Sequence, residues 1–176
     1  MNDVAELIDR LVRPVADWPE PGVTFRDITP LIADAGGLAA VVDALVERAA
    51  GSGPVDAVIG IEARGFIFAP AVALRLGAGF VPVRKQGKLP GARLSVSYDL
   101  EYGTAMVEMH ADALRPGDRV LVIDDVLATG GTMAAVGELV AQAGATVAGN
   151  LVLIDLPALG GHDRLGAVGC VSLHSY

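Results

Sequence analysis

Two spacings of apolar residues alternate along the chain. Leu38, Val41, Val42, Leu45 and Val46 recur every three to four positions and predict a helix over 36–50. Residues 3–12 read as a shorter amphipathic helix. The runs VDAVIGI (55–61), FVPVRK (80–85) and RVLVIDD (119–125) are instead near-continuous apolar stretches, as strands buried on both faces require. Helices are predicted after the first and third of these, over about 65–76 and 132–143. ATVAGNLVLID (145–155) and a short segment around 168–173 add two further strands. LSVSYDL (94–100) and TAMVEMH (104–110), separated by Glu101-Tyr102-Gly103, read as a hairpin. Residues 16–30 hold three prolines and a glycine and are predicted to form an irregular loop. The sum is an α/β fold with a central, mostly parallel sheet. Ligands of such sheets bind beyond the carboxyl ends of the strands.

At 176 residues the chain is expected to be a single domain, 1–176. Hydrophobic residues at 52% and charged residues at 19% exclude intrinsic disorder. A mean hydropathy of +0.50 raises the question of a membrane. The most apolar stretch, 65–83, is interrupted by Arg75, Pro70, Pro82 and three glycines, so no membrane span is expected. MNDVAELIDRLVRP has acids where a signal peptide has cations, and Cys170 is the sole cysteine, expected to be inert core. A cytoplasmic location follows as an expectation.

Net charge is −8, which argues against nucleic acid as a partner. Its distribution says more than its total. Residues 63–98 contain no acid and six cations, Arg64, Arg75, Arg84, Lys85, Lys88 and Arg93, which leaves seven cations and twenty-one acids elsewhere. Such an island suits a small, highly anionic ligand. His110, His162 and His174 are scattered with no ligand spacing, so no zinc site and no role is assigned to them.

VLVIDDVLATGGT (120–132) carries the strongest chemical signal. An apolar strand delivers Asp124 and Asp125 to its carboxyl end, and Thr129-Gly130-Gly131-Thr132 then opens a helix. Glycines let backbone N–H groups converge on an anion, the threonine hydroxyls add donors, and the helix terminus adds positive potential. The two acids repel phosphate and suit hydroxyls or a hard cation instead. A phosphate in the loop with a diol on the acids amounts to a ribose 5-phosphate. Neither a Walker A loop nor GxGxxG occurs.

This segment resembles the phosphoribosyl-pyrophosphate signature of the type I phosphoribosyltransferases. PGVTFRDITPL (21–31), GIEARGF (60–66), VRKQGKLPG (83–91) and YDLEYG (98–103) are similar, in order, to the adenine phosphoribosyltransferase branch. The resemblance implies the type I phosphoribosyltransferase fold with a small N-terminal hood (1–35) and a flexible lid hairpin (85–108). It implies a homodimer that joins adenine to ribose 5-phosphate from 5-phosphoribosyl 1-pyrophosphate, with Mg2+ held mainly through the substrate and no dedicated protein cage.

Site roles follow residue by residue. Ala128, Thr129, Gly130, Gly131 and Thr132 take the 5′-phosphate, and Asp124 and Asp125 take ribose and magnesium. Glu62, Ala63, Arg64 and Gly65, with a cis peptide before Ala63, join Arg84, Lys85 and Lys88 in binding pyrophosphate; Arg64 and Lys88 also rank as catalytic. Glu101 exchanges a proton with the purine imidazole, and Tyr102 helps close the lid. Val23, Phe25, Arg26 and Leu127 bind the base. Taken alone, Arg64 and each loop lysine read equally as surface charges, Phe25 as a loop anchor and Glu101 as a turn acid.

Two rivals share these motifs. Hypoxanthine–guanine enzymes place an aspartate where this chain has Ala128, so their acid–base group is missing here. A ligand-sensing regulator on the same fold typically adds a basic DNA-binding domain, and the N-terminal helix here is short and acidic.

Overall fold

The computed structural model describes residues 4–99 and 103–176, which divide into two compact units, 1–44 and 45–176. In the first, α1 (Val4–Leu11) buries Ile8 completely. The segment expected to be irregular is more ordered than that. β1 (Arg13–Ala16) pairs antiparallel with β2 (Thr24–Asp27), and α2 (Thr29–Ala33) follows. The prolines that obscured this ribbon sit where no ladder N–H is needed: Pro19 and Pro21 in the connection, Pro30 in the first turn of α2.

Asp27 ties the ribbon's end together. It accepts from the Thr29 amide at 2.9 Å and from Arg13, its register partner across the strands. The Thr29 hydroxyl and amide, then Arg13, hold its carboxyl down at about 2. α3 (Ala35–Ala49) contains the boundary between the units, at 44/45.

The second unit is built on β3 (Ala57–Ile61), α4 (Gly65–Leu76), β4 (Gly79–Lys85), β5 (Arg93–Asp99), β6 (Thr104–His110), β7 (Arg119–Leu127), α5 (Gly131–Gln142), β8 (Thr146–Asp155) and β9 (Val171–Ser175). The strands form one sheet in the order β5-β6-β4-β3-β7-β8-β9. β4, β3, β7, β8 and β9 are mutually parallel; β6 pairs antiparallel with β4 and β5. Every residue of β3 is buried, as double coverage demands, and Ile59, Val122, Val136, Leu139 and Val152 are fully enclosed.

The last strand lies a few residues later than expected, because Gly160, Gly166 and Gly169 take left-handed φ and carry 157–168 through short 3-10 turns. Cys170, half-buried beside them, has its thiol pushed up to about 12 by burial and by the charge of Asp155. Among the described residues no helix is long and apolar enough to cross a membrane.

From β3 the chain winds outward to β4 on one side and later returns to β7 on the other. The crevice beyond the carboxyl ends of β3 and β7 is therefore the switch point where open parallel sheets take their ligands.

Candidate active site

Both flanks of that crevice are turns into helices. After Ile61, residues 62–64 lead into α4 with a cis Glu62–Ala63 peptide. The Glu62 carboxylate accepts from Arg84 Nη2 at 3.1 Å, Arg84 Nε at 3.3 Å and the Lys85 amide at 2.9 Å. These bonds, Arg84's first, hold it below the usual carboxylate range. Glu62 thus fixes the end of β4 to the end of β3. Gly65 lets α4 start against β7: a Cβ there would stand 2.6 Å from the Ile123 carbonyl oxygen and 3.2 Å from Asp124 Oδ1.

On the other flank, β7 brings Asp124 and Asp125 to its end. The Asp125 amide donates to Asp124 Oδ1 at 2.9 Å, and Arg64 Nε stands 2.8 Å from Asp125 Oδ2. Burial pushes both carboxyls above their ordinary range; at Asp124 the neighbouring Asp125 charge adds to it, while at Asp125 the Arg64 guanidinium opposes it. Beyond Leu127, Ala128, Thr129 and Gly130 form the loop, and α5 begins at Gly131-Thr132. Gly130 has φ 77°, a conformation that favours glycine.

Two cavities open here. The larger, about 310 Å³, is lined by Glu62, Ala63, Arg64, Arg84, Lys85, Tyr98, Asp124, Asp125 and Thr132 among others. The smaller, about 80 Å³, is walled by Asp124 and the run from Val126 to Met133. They share Asp124 and Thr132, so the chamber holding Arg64, Arg84 and Lys85 adjoins one lined by the loop at 128–130 and the start of α5.

The expected residues divide as follows. Those of 62–65, 84–85 and 124–132 are brought together, with Leu127 buried under the loop. Lys88 is exposed on the turn after β4 and is not among the residues lining either cavity. Val23, Phe25 and Arg26 belong to the first unit; Val23 is exposed, and Phe25 packs edge-on against Trp18 with centroids 4.5 Å apart. Glu101 and Tyr102 lie outside the described residues.

Two contributors were not foreseen. Tyr98 lines the larger cavity. Glu108, only 2% exposed, accepts from the Gly87 amide and from Arg93 Nε, each at 2.9 Å, and so pins the cationic turn to β6. Its signal was an acid inside the otherwise apolar run TAMVEMH.

Residues 31–175 match the family described as phosphoribosyl transferase domain. The chain is 59% identical over 167 residues to an adenine phosphoribosyltransferase of Thermobifida fusca, covering 95% of this chain and 94% of that one. It is 61% identical to that of Streptomyces coelicolor, with coverages of 92% and 88%. Among solved structures, an adenine phosphoribosyltransferase from Thermoanaerobacter pseudethanolicus superposes with a TM-score of 0.94 at 42% identity over 98% and 99% of the two chains. The Saccharomyces cerevisiae enzyme, complexed with an imino-altritol bisphosphate and adenine, gives 0.93 at 35% identity, again over 98% and 99%.

Proposed function

The chain belongs to the adenine phosphoribosyltransferases of the phosphoribosyl transferase family, and on that premise we propose that it transfers ribose 5-phosphate from 5-phosphoribosyl 1-pyrophosphate to adenine, giving AMP and pyrophosphate. One observation carries the reading: two cavities share Asp124 and Thr132, one lined by the glycine-bearing loop at a helix start and one holding Arg64, Arg84 and Lys85 beside Glu62 and the acid pair. A sugar phosphorylated at both ends fits that division. The 5′-phosphate occupies 128–132, the ribose hydroxyls donate to Asp124 and Asp125, and the pyrophosphate meets Arg64, the 62–65 backbone and Lys85. Lys88 approaches from the adjoining turn.

The acid pair also fits magnesium in donor chemistry, since a hard divalent cation takes carboxylate oxygens. In this reading the metal is held mainly through the substrate, with Asp124 and Asp125 as the chain's own oxygen donors. When bound, the ion neutralises charge on the departing pyrophosphate. The chain's own part is electrostatic: Arg64 and the loop lysines stabilise the leaving group while positive charge develops at C1′. Adenine recognition is assigned to Val23, Phe25 and Arg26, and proton exchange with the imidazole ring to Glu101. The lid hairpin, the homodimer and a cytoplasmic location belong to the same reading.

Product formation with adenine, hypoxanthine and guanine in turn tests it. Adenine offers a donor at C6 and an acceptor at N1; hypoxanthine reverses both. A buried mismatch of that kind leaves polar groups unpaired, so adenine is expected to exceed hypoxanthine by at least about 10³-fold in kcat/KM. Comparable use of hypoxanthine would refute the adenine assignment and leave the fold intact.

A further inference from the structure

The connection between β8 and β9 carries none of the residues assigned above, yet it packs directly behind the loop at 128–131. Asp155, the last residue of β8, lies in register with Leu127, the last of β7, and the Leu156 amide donates to the Leu127 carbonyl at 3.0 Å. Short 3-10 turns then bring residues 160–164 back to the carboxyl end of β7.

There two glycine backbones interlock. A Cβ on Gly130 would collide with the Gly161 carbonyl oxygen and stand 3.1 Å from its Cα. A Cβ on Gly161 would collide with the Ala128 carbonyl oxygen and stand 2.9 Å from Leu127 Cγ. Arg164 Nη1 completes the contact, 3.4 Å from where a Gly131 side chain would begin.

A polar latch also joins this turn to the end of β8. His162 Nε2 lies 3.0 Å from Asp155 Oδ2, joining a largely exposed imidazole to a carboxylate only 8% exposed. The other oxygen, Oδ1, is buried and accepts no hydrogen bond among the described residues. His162 is therefore the hydrogen-bonding partner this buried carboxylate has on the described chain.

We propose that His162, latched to Asp155, is a positioning residue for phosphate binding: it holds the Gly161 backbone against 128–131 and presets the loop shape that receives the 5′-phosphate. A loop whose amides converge through two adjacent glycines has many alternatives to that shape, and ordering it on binding costs affinity. A backbone wedged behind it removes those alternatives beforehand. The inference rests on the assignment of 128–132 to the 5′-phosphate.

Calorimetric titration with AMP, and separately with pyrophosphate and Mg2+, tests it in wild type, His162→Ala and His162→Gln. Loss of one hydrogen bond to a charged group predicts about a 10-fold weaker AMP complex and a similar rise in the KM for phosphoribosyl pyrophosphate. Pyrophosphate affinity and kcat stay within about twofold, because the residues assigned to pyrophosphate follow β3 and end β4, whereas the turn packs on Leu127, Ala128 and Gly130. Gln keeps an N–H donor and restores most of the loss. Gly161→Ala, if it folds, loses more.

Unchanged AMP affinity in folded His162→Ala, with or without a lower melting temperature, would reduce the latch to a stability contact and overturn the proposal. Equal weakening of AMP and pyrophosphate would overturn it too, by pointing to general loosening. A wild-type protein that binds pyrophosphate but not AMP would sink the phosphate-loop assignment itself.

Discussion

Asp124 and Asp125 illustrate how a site is kept at the expense of the fold. Burial raises both carboxyls, so the folded chain holds their protons to higher pH than the unfolded chain does. The stability they confer is complete below about pH 4 and is lost as pH rises through the raised values. Above those values the ligand-free protein carries an unfavourable charged pair. Asp124→Asn keeps the oxygen that accepts from the Asp125 amide and removes one charge. Calorimetry between pH 4 and pH 8 is expected to show no gain in Tm at pH 4 and a gain that grows as pH rises, by about 2–4 °C for each kcal/mol relieved. The same variant is expected to lose about 10²-fold in kcat/KM, since a charged acceptor for the ribose is gone. A lower Tm at pH 8 would contradict the account.

Among the elements, the turn from β7 into α5 depends most on one residue type. Gly130 combines φ 77° with a Cβ direction blocked by Gly161. Gly130→Ala is expected to weaken AMP binding by about 10- to 100-fold, from backbone strain and displacement of the loop. An AMP titration of the folded variant that matches wild type would exclude that role. This turn was also the most legible part of the chain, because strand, acids, glycines and helix start are contiguous in VLVIDDVLATGGT. α4 and β6 likewise follow from local periodicity to the residue. The β1–β2 ribbon was hidden because prolines dominate its composition while its pairing, Arg13 opposite Asp27, spans the whole connection. Glu108 and His162 escaped for the same physical reason. Their partners stand on other elements, and no local pattern encodes such contacts.

For the whole molecule, the cationic stretch 63–98 in a chain of net charge −8 makes one substrate electrostatically distinct from the other. Raising salt from 0.1 M to 1 M shortens the screening length from about 10 Å to about 3 Å. The KM for phosphoribosyl pyrophosphate is expected to climb several-fold over that range while the KM for neutral adenine stays nearly constant. Steady-state kinetics at matched magnesium checks it, and parallel shifts for both substrates would count against charge attraction as the source.

Cys170 has a consequence of a different kind. A thiol held at about 12 is ionised in only about one molecule in 10⁵ at pH 7, and the thiolate is the reactive form. Iodoacetamide and peroxide are expected to leave it untouched on the timescale of an assay, which mass spectrometry of the treated protein checks. Swings in cellular oxidant level have no handle on this chain through its lone sulfhydryl.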